Sequence, residues 1–193
     1  MVSLIEREFH SSIMDFQLDI AKRWNERGSK TRDDFAKFFF YFAGLNSLYY
    51  LWKVLDNLSS KTREREHIEN LLNKLGEDKA REILGKIDKS IEYFSRRSIR
   101  KMMYRSPDRP DGDLREGEEL RRRLENGSNL DRVVALGKIL YLIRSNLFHG
   151  SKAQTGDDRE IVERSIAPLR VLLAESISLT EQKRNELRCA AGF

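Results

Sequence analysis

The stretch LIRSNLFHGSK, residues 142–152, places an arginine and a histidine at the end of an apolar, helix-like run. Arg144 carries a planar guanidinium whose N–H groups match the oxygens of a phosphate. His149 has an imidazole with an unperturbed pKa of about 6.5, so it can give or take a proton near neutral pH. The two residue types together suit a reaction at a phosphate, in which a proton moves and negative charge is stabilised.

Arg144 and His149 can act on the same phosphate only if the helix that carries them brings their side chains together. On a continuous helix, at about 100° per residue, Arg144 and His149 would lie about 140° apart. Gly150 follows the histidine directly and is typical of the left-handed residue that ends a helix. We therefore expect the helix to end or open between the two side chains, so that they converge. Ser145 and Asn146 precede the histidine by four and three residues and are expected to share its face.

Apolar residues at steps of three and four predict an amphipathic helix near the N-terminus. Gly28 and Ser29 are expected to end it, and Thr31 to cap a second helix that reaches about Leu58. That second helix is apolar on nearly all sides and is predicted to be the centre of the core. The apolar face predicted for the first helix consists of Ile5, Phe9, Ile13, Phe16, Ile20 and Trp24.

The middle of the chain is predicted to hold two more helices and a long loop. A shorter polar helix covers residues 59–76 and ends at Gly76, and a helix with an apolar face covers residues 77–105. Residues 106–129 contain two prolines, three glycines and dense charge. This composition predicts a charged loop or insertion with one helical turn near Leu120.

The last third of the chain is predicted to form two helices. One begins near Leu130, is capped by Ser128 or Asn129, and ends in the arginine–histidine stretch. The other runs from about Asp157 to Leu179, and Pro168 is expected to kink or divide it.

Composition and periodicity define the class of protein. No segment alternates with period two for long, so the predicted fold class is all-α, a bundle of five to six helices in one domain over residues 1–193. Charged residues make up 35% of the chain and the mean hydropathy is −0.61, which predicts a soluble protein. The single cysteine, Cys189, excludes an intrachain disulfide, and we expect neither a metal site nor a cofactor.

Targeting signals are not expected either. The N-terminus carries acidic residues where a signal peptide has a basic start. The most apolar run, residues 38–52, is shorter than the roughly 20 residues that span a bilayer. We predict a cytoplasmic protein without a membrane partner.

A basic cluster offers a second candidate function. Between Arg96 and Arg105 the chain has five basic residues and no acid. These residues could track a phosphate backbone, or form an ordinary solvated helix end, and charge alone does not decide. The candidate phosphate contacts are Arg96, Arg97, Arg100 and Lys101, together with Lys152 beyond the histidine.

Asn46 interrupts the apolar second helix. An unsatisfied buried amide costs about 1–3 kcal/mol, so we expect it to have a partner. The partner is either a core group or, in a supporting role, Arg144 or Asn146. The two remaining histidines, His10 and His67, are predicted to lie on polar or mixed helix surfaces. Three tyrosines are expected in the core with hydrogen-bonded hydroxyls, namely Tyr49, Tyr50 and Tyr141.

With these residues the chain resembles the HEPN superfamily (higher eukaryotes and prokaryotes nucleotide-binding domain). Its members are all-α, and its ribonucleases carry an arginine, four to six residues and a histidine at a helix end. RSNLFHG, Arg144–Gly150, is similar to the family's common RNxLFHG-like form, and GLNSLYYLW, residues 44–52, to its asparagine-containing helix. Many members have Asn, Asp or His directly after the arginine, where this chain has Ser145 followed by Asn146.

The resemblance implies a HEPN-like fold and metal-independent cleavage of RNA, in which the 2′-OH attacks and a 2′,3′-cyclic phosphate is left. It makes Arg144 and His149 catalytic, with Ser145, Asn146 and Asn46 in support. One chain has one such histidine, so a homodimer joined at this helix end would supply both acid and base. The family context suggests a toxin or phage-defence effector with an antitoxin or defence-system partner.

Two other classes of function stay open from the sequence. The domain could be a non-catalytic HEPN module that binds RNA, a nucleotide or a protein partner through the same helix end. It could also be a helical partner-binding subunit, which a large exposed apolar face on the first helix would indicate.

Overall fold

The computed structural model describes residues 4–100, 114–148 and 156–191, and all regular secondary structure in these ranges is α-helical. The all-α class is therefore confirmed. These ranges form eight helices, more than the five to six predicted. In chain order the helices are α1 (Leu4–Lys30), α2 (Asp34–Leu55), α3 (Glu64–Asn73), α4 (Gly76–Lys86), α5 (Asp88–Ser95), α6 (Arg115–Asn126), α7 (Asn129–Phe148) and α8 (Gly156–Ala191).

Two helices organise the core. The central α2 packs against α1, α8 and α3, as its apolar composition predicts, and α7 packs against α3, α4 and α6. Each large side chain that α2 and α7 bury contributes about 1.5–3 kcal/mol. Neither α2 nor any other helix in the described ranges is long and apolar enough to cross a membrane. The side chains that α2 and α7 bury completely include Leu45, Leu48 and Tyr49 on α2 and Leu136 and Leu140 on α7.

The first helix turns a different face to the core from the one predicted. Met14, Leu18 and Ala21 are buried, whereas Phe16 is 62% exposed. Because α1 packs against both α2 and α8, its buried stripe is rotated by roughly 120–140° from the predicted one. The pattern of large apolar residues did not reveal this, because Ala21 and Met14 carry the contact.

The junction between α1 and α2 also differs from the prediction. Gly28 does not end α1, which continues to Lys30. A Cβ atom on Gly28 would lie 2.5 Å from the Tyr41 ring, so glycine serves a close approach between the two helices. The N-cap of α2 is Asp33 rather than Thr31, since its Oδ1 accepts a hydrogen bond from the Ala36 N–H at 2.7 Å.

The segment predicted as one helix over residues 77–105 forms two helices, α4 and α5. Ile87 leaves helical geometry, with φ −131° and ψ 26°, and its side chain is buried. The break lets α4 pack against α7 while α5 packs against α6 and α8. Beyond α5 the chain is not helical from Arg97 to Arg100.

The predicted loop over residues 106–129 is wrong for its described part, which contains α6. Leu120 and Leu124, four residues apart, are buried against α7, and dense charge around them hid the pattern. The cap predicted for α7 is confirmed, because the Ser128 hydroxyl accepts the Asp131 N–H at 3.2 Å. Pro168 does not divide α8, which is 36 residues long.

Candidate functional site

Arg144 lies in the last turns of α7, and its guanidinium packs against two phenylalanine rings. Its guanidinium carbon is 4.8 Å from the ring centre of Phe148 and 5.7 Å from that of Phe42 on α2. Contacts of this length between a guanidinium and a ring face are attractive. The side chain is 27% exposed, so the cation is held at the surface and can be reached by an anion.

A carboxylate from another helix fixes Arg144 on its second side. The Nη1 atom of Arg144 lies 3.6 Å from Oε2 of Glu64, the first residue of α3. The hydroxyl of the buried Tyr49 donates a hydrogen bond to the other oxygen of Glu64, Oε1. This confirms the core position and hydrogen-bonded hydroxyl predicted for Tyr49. Tyr49 on α2 therefore holds the Glu64 carboxylate in place, and this carboxylate orients the Arg144 guanidinium.

The tyrosines around Glu64 remain protonated at neutral pH. Burial raises the pKa of Tyr49, Tyr50 and Tyr141, the Glu64 carboxylate raises each further, and the Arg144 cation opposes the rise. Their hydroxyls are therefore neutral donors beside the carboxylate. Tyr50 is nevertheless 42% exposed, so its predicted place in the core is wrong.

Ser145 and Asn146 face the interior, with exposures of 5% and 3%. The side-chain Nδ2 of Asn146 donates a hydrogen bond to the backbone oxygen of Arg100 at 2.6 Å. The structure therefore joins the arginine–histidine stretch to the basic cluster through a contact between residues that are 46 positions apart in the chain.

Three of the predicted site residues, Lys101, His149 and Lys152, lie outside the described residues. The convergence of Arg144 and His149 and the role of Gly150 as the helix end therefore stay predictions.

Asn46 does not have the partner expected for its carbonyl. Its Oδ1 is buried and accepts no hydrogen bond from the described residues. Helical spacing places Asn46 one turn from Phe42 and Tyr50, on the face of α2 that supports Arg144. Neither Arg144 nor Asn146 donates a hydrogen bond to this oxygen within the described ranges, so the supporting role stays a prediction.

His67 is placed wrongly by the sequence. It is 2% exposed, and neither ring nitrogen has a hydrogen-bond partner of good geometry in the described part of the chain. Its ring centre lies 5.5 Å from that of Tyr50 and 6.4 Å from that of Tyr49. The spacing from His67 to Leu71 is a helical i, i+4 step, and this signal could have assigned the histidine to the buried face of α3.

The stability of the protein should depend on pH through His67. Burial lowers the pKa of this imidazole, as does the Lys53 cation, while Glu64 and Glu66 oppose the shift. The unfolded chain, with a pKa of about 6.5, therefore binds the proton more readily, and stability is lost as pH falls below that value. This contribution is at most about 1.4 kcal/mol per pH unit.

The variant His67→Leu should remove that contribution. Urea unfolding about one pH unit above and one below 6.5 should show a smaller loss of unfolding free energy in the variant than in the wild type. Equal losses in the two proteins would contradict the burial of a neutral His67.

The basic segment Arg97–Arg100 is held in place rather than forming the solvated helix end considered above. A Cβ atom on Gly117 of α6 would lie 2.0 Å from the backbone oxygen of Ile99, so the two backbones touch. Ile99 is buried, and Asn146 holds the next carbonyl. The segment therefore runs between α6 and α7, with Arg100 exposed.

The site therefore offers one surface cation, a carboxylate and neutral hydroxyls. No group of three or more histidine, cysteine, aspartate or glutamate side chains in the described ranges is placed to hold a metal ion. Comparisons with protein-family models, curated proteins and solved structures find no match for this chain.

Proposed function

We propose that the protein is a metal-independent endoribonuclease of the HEPN type. The 2′-OH of the RNA attacks the adjacent phosphorus, a histidine takes its proton, and the bond to the 5′ oxygen breaks as an acid protonates it. Arg144 binds the phosphate oxygens, on which negative charge grows in the transition state. The products are a 2′,3′-cyclic phosphate and a 5′-hydroxyl.

The observation that carries the proposal is the setting of Arg144. A guanidinium has five N–H donors, and the ion pair with Glu64 joins Nη1 at 3.6 Å. Phe42, Phe148 and Glu64 orient the fork and leave 27% of the Arg144 side chain exposed. His149 directly follows Phe148 in the sequence, and this position supports the expectation that a proton-transfer group lies near Arg144.

The proposal includes a homodimer joined at the end of α7. The reaction needs both a base and an acid, and a second copy would bring the second His149. Phe148 and Phe39 support this arrangement, because they are 54% and 41% exposed beside Arg144 with ring centres 5.8 Å apart. Another copy of the same chain would cover these apolar rings, which are otherwise in water.

The test is incubation of purified protein with end-labelled RNA in excess EDTA, with the molecular mass measured by light scattering. We expect cleavage in EDTA and a mass of two chains. A monomer that leaves every RNA intact would contradict the proposal. Such an enzyme would suit a toxin or phage-defence effector that an antitoxin or defence partner restrains.

One observation favours a partner-binding subunit as a second candidate. Phe16 is 62% exposed on α1, and the half-buried Ile20 and Trp24 continue the same stripe. A subunit of this kind would leave RNA uncut and bind its partner through α1. The variant Phe16→Glu separates the two functions, because the ribonuclease should keep its cleavage rate.

A further inference from the structure

A groove lies between α5 and α8, and neither Arg144 nor the phenylalanine rings that contact it line this groove. Its volume is about 620 Å³. Four cations and one carboxylate face it, so its charge favours an anion. The residues that line this α5–α8 groove are Lys89, Glu92, Tyr93, Arg96, Arg97 and Arg164.

Two arginines from different elements meet at the ring of Tyr93. The guanidinium carbon of Arg97 is 5.8 Å from the ring centre, and that of Arg164 on α8 is 5.6 Å from it. Arg97 also donates a hydrogen bond from Nη1 to the Tyr93 hydroxyl at 3.1 Å. The groove therefore combines planar phosphate-binding forks with an aromatic ring.

Two of the groove's cations, Arg96 and Arg164, are only weakly held by neighbouring carboxylates. Arg96 pairs with Glu92 at 2.8 Å, and Arg164 with Glu160 at 3.8 Å. In each pair the two residues are exposed and lie four positions apart in the chain. Ion pairs of this kind stabilise a protein by about 0.3–0.5 kcal/mol. A phosphate, which binds a guanidinium through two hydrogen bonds, can displace them.

We propose that the α5–α8 groove binds single-stranded RNA. Phosphates lie on Arg97 and Arg164, with Lys89 as a further contact, and a base stacks at Tyr93 and its arginines. Basic grooves that present aromatic rings hold single strands in this way because every base has a flat face. This inference rests on RNA being the substrate of the proposed function.

The path of the chain connects this groove to the end of α7. Arg97 lies in the groove, and the three residues from there to Arg100 can span at most about 11 Å. The backbone oxygen of Arg100 is bound by Asn146, two residues after Arg144. The segment Arg97–Arg100 therefore connects the groove to the last turns of α7, where the Arg144 side chain projects from the opposite side of the helix to Asn146.

The test measures binding in a protein that does not cut its ligand. In the His149→Ala background, fluorescence anisotropy of a labelled single-stranded oligoribonucleotide in EDTA gives the affinity at several salt concentrations. The double variant Arg97→Ala/Arg164→Ala should bind at least about tenfold more weakly. Its plot of log affinity against log salt should be shallower by about 1.4, as expected for two lost phosphate contacts.

A matched control uses the same helix. Arg159 and Arg170 are exposed on α8 and lie about 120–140° round the helix from Arg164. Arg159→Ala/Arg170→Ala removes the same charge and should change the affinity by less than about threefold. The Tyr93 ring is tested separately. Tyr93→Leu removes the ring and should weaken binding more than Tyr93→Phe, which keeps the ring and loses only the hydrogen bond from Arg97.

Equal affinities of the groove and control double variants, with equal midpoints of urea unfolding, would overturn the proposal. Displacement of the RNA by polyglutamate at matched charge would overturn it too, since the groove would then be a general anion surface. Failure of the groove proposal can be distinguished from failure of the ribonuclease proposal. Binding lost in the groove variant of a protein that never cuts RNA supports the groove and contradicts the ribonuclease.

Discussion

Replacing His149 with alanine should lower the rate of RNA cleavage by roughly 10²–10⁴-fold, the usual contribution of a positioned acid or base. Arg144→Ala should lower it by roughly 10²–10³-fold, because the developing phosphorane charge loses its main donor. Arg144→Lys keeps the charge but loses the planar fork, so it should recover only part of the rate. Initial rates with end-labelled RNA in excess EDTA measure all three.

The control for these variants is Arg170→Ala, which removes an exposed arginine from α8. Its rate should match that of the wild type. The unfolding free energy of Arg144→Ala should fall by only about 1 kcal/mol, because the ion pair with Glu64 is partly exposed. Near-wild-type cleavage by either the His149 or the Arg144 variant would contradict the catalytic roles proposed for these residues.

Gly117→Ala should lower the free energy of unfolding by about 1–3 kcal/mol, the usual effect of overpacking. The added Cβ would lie 2.0 Å from the oxygen of Ile99 and 2.9 Å from its carbonyl carbon, both of them backbone atoms. The segment cannot simply move away, because Asn146 holds it at Arg100 on the α7 side. Urea unfolding measures the effect.

The same substitution at Gly85 should act in the opposite direction. Nothing lies within 4 Å of a Cβ atom there, and the residue is in the last turn of α4. Alanine at this place should stabilise the protein by about 0.5–1 kcal/mol, since it reduces the freedom of the unfolded chain. Destabilisation at both glycines to the same degree would contradict the close contact between α6 and Ile99.

The local pattern of the sequence sufficed for some elements. The apolar α2 and the start of α7 were predicted because composition and a capping serine act within one or two turns. The buried stripe of α1 was not predicted, because two neighbouring helices select it and Phe16 is left outside. The helix α6 was missed because Leu120 and Leu124 are its only large apolar pair among charges.

The candidate site could likewise be predicted only in part from the local sequence. Arg144 could be singled out from its place at a helix end, but its orientation by Glu64 depends on a contact 80 residues away along the chain. No local pattern encodes such a contact. The link from Asn146 to Arg100 and the meeting of Arg97 with Arg164 at Tyr93 are tertiary for the same reason.

The central claim is that the RNA supplies its own nucleophile and that no metal takes part. The most direct measurement compares a ribose strand with its 2′-O-methyl counterpart in excess EDTA, with the new ends identified by mass spectrometry. We expect cleavage of the ribose strand alone, with 2′,3′-cyclic phosphate and 5′-hydroxyl ends. Cleavage of the 2′-O-methyl strand, or cleavage that EDTA abolishes, would contradict it.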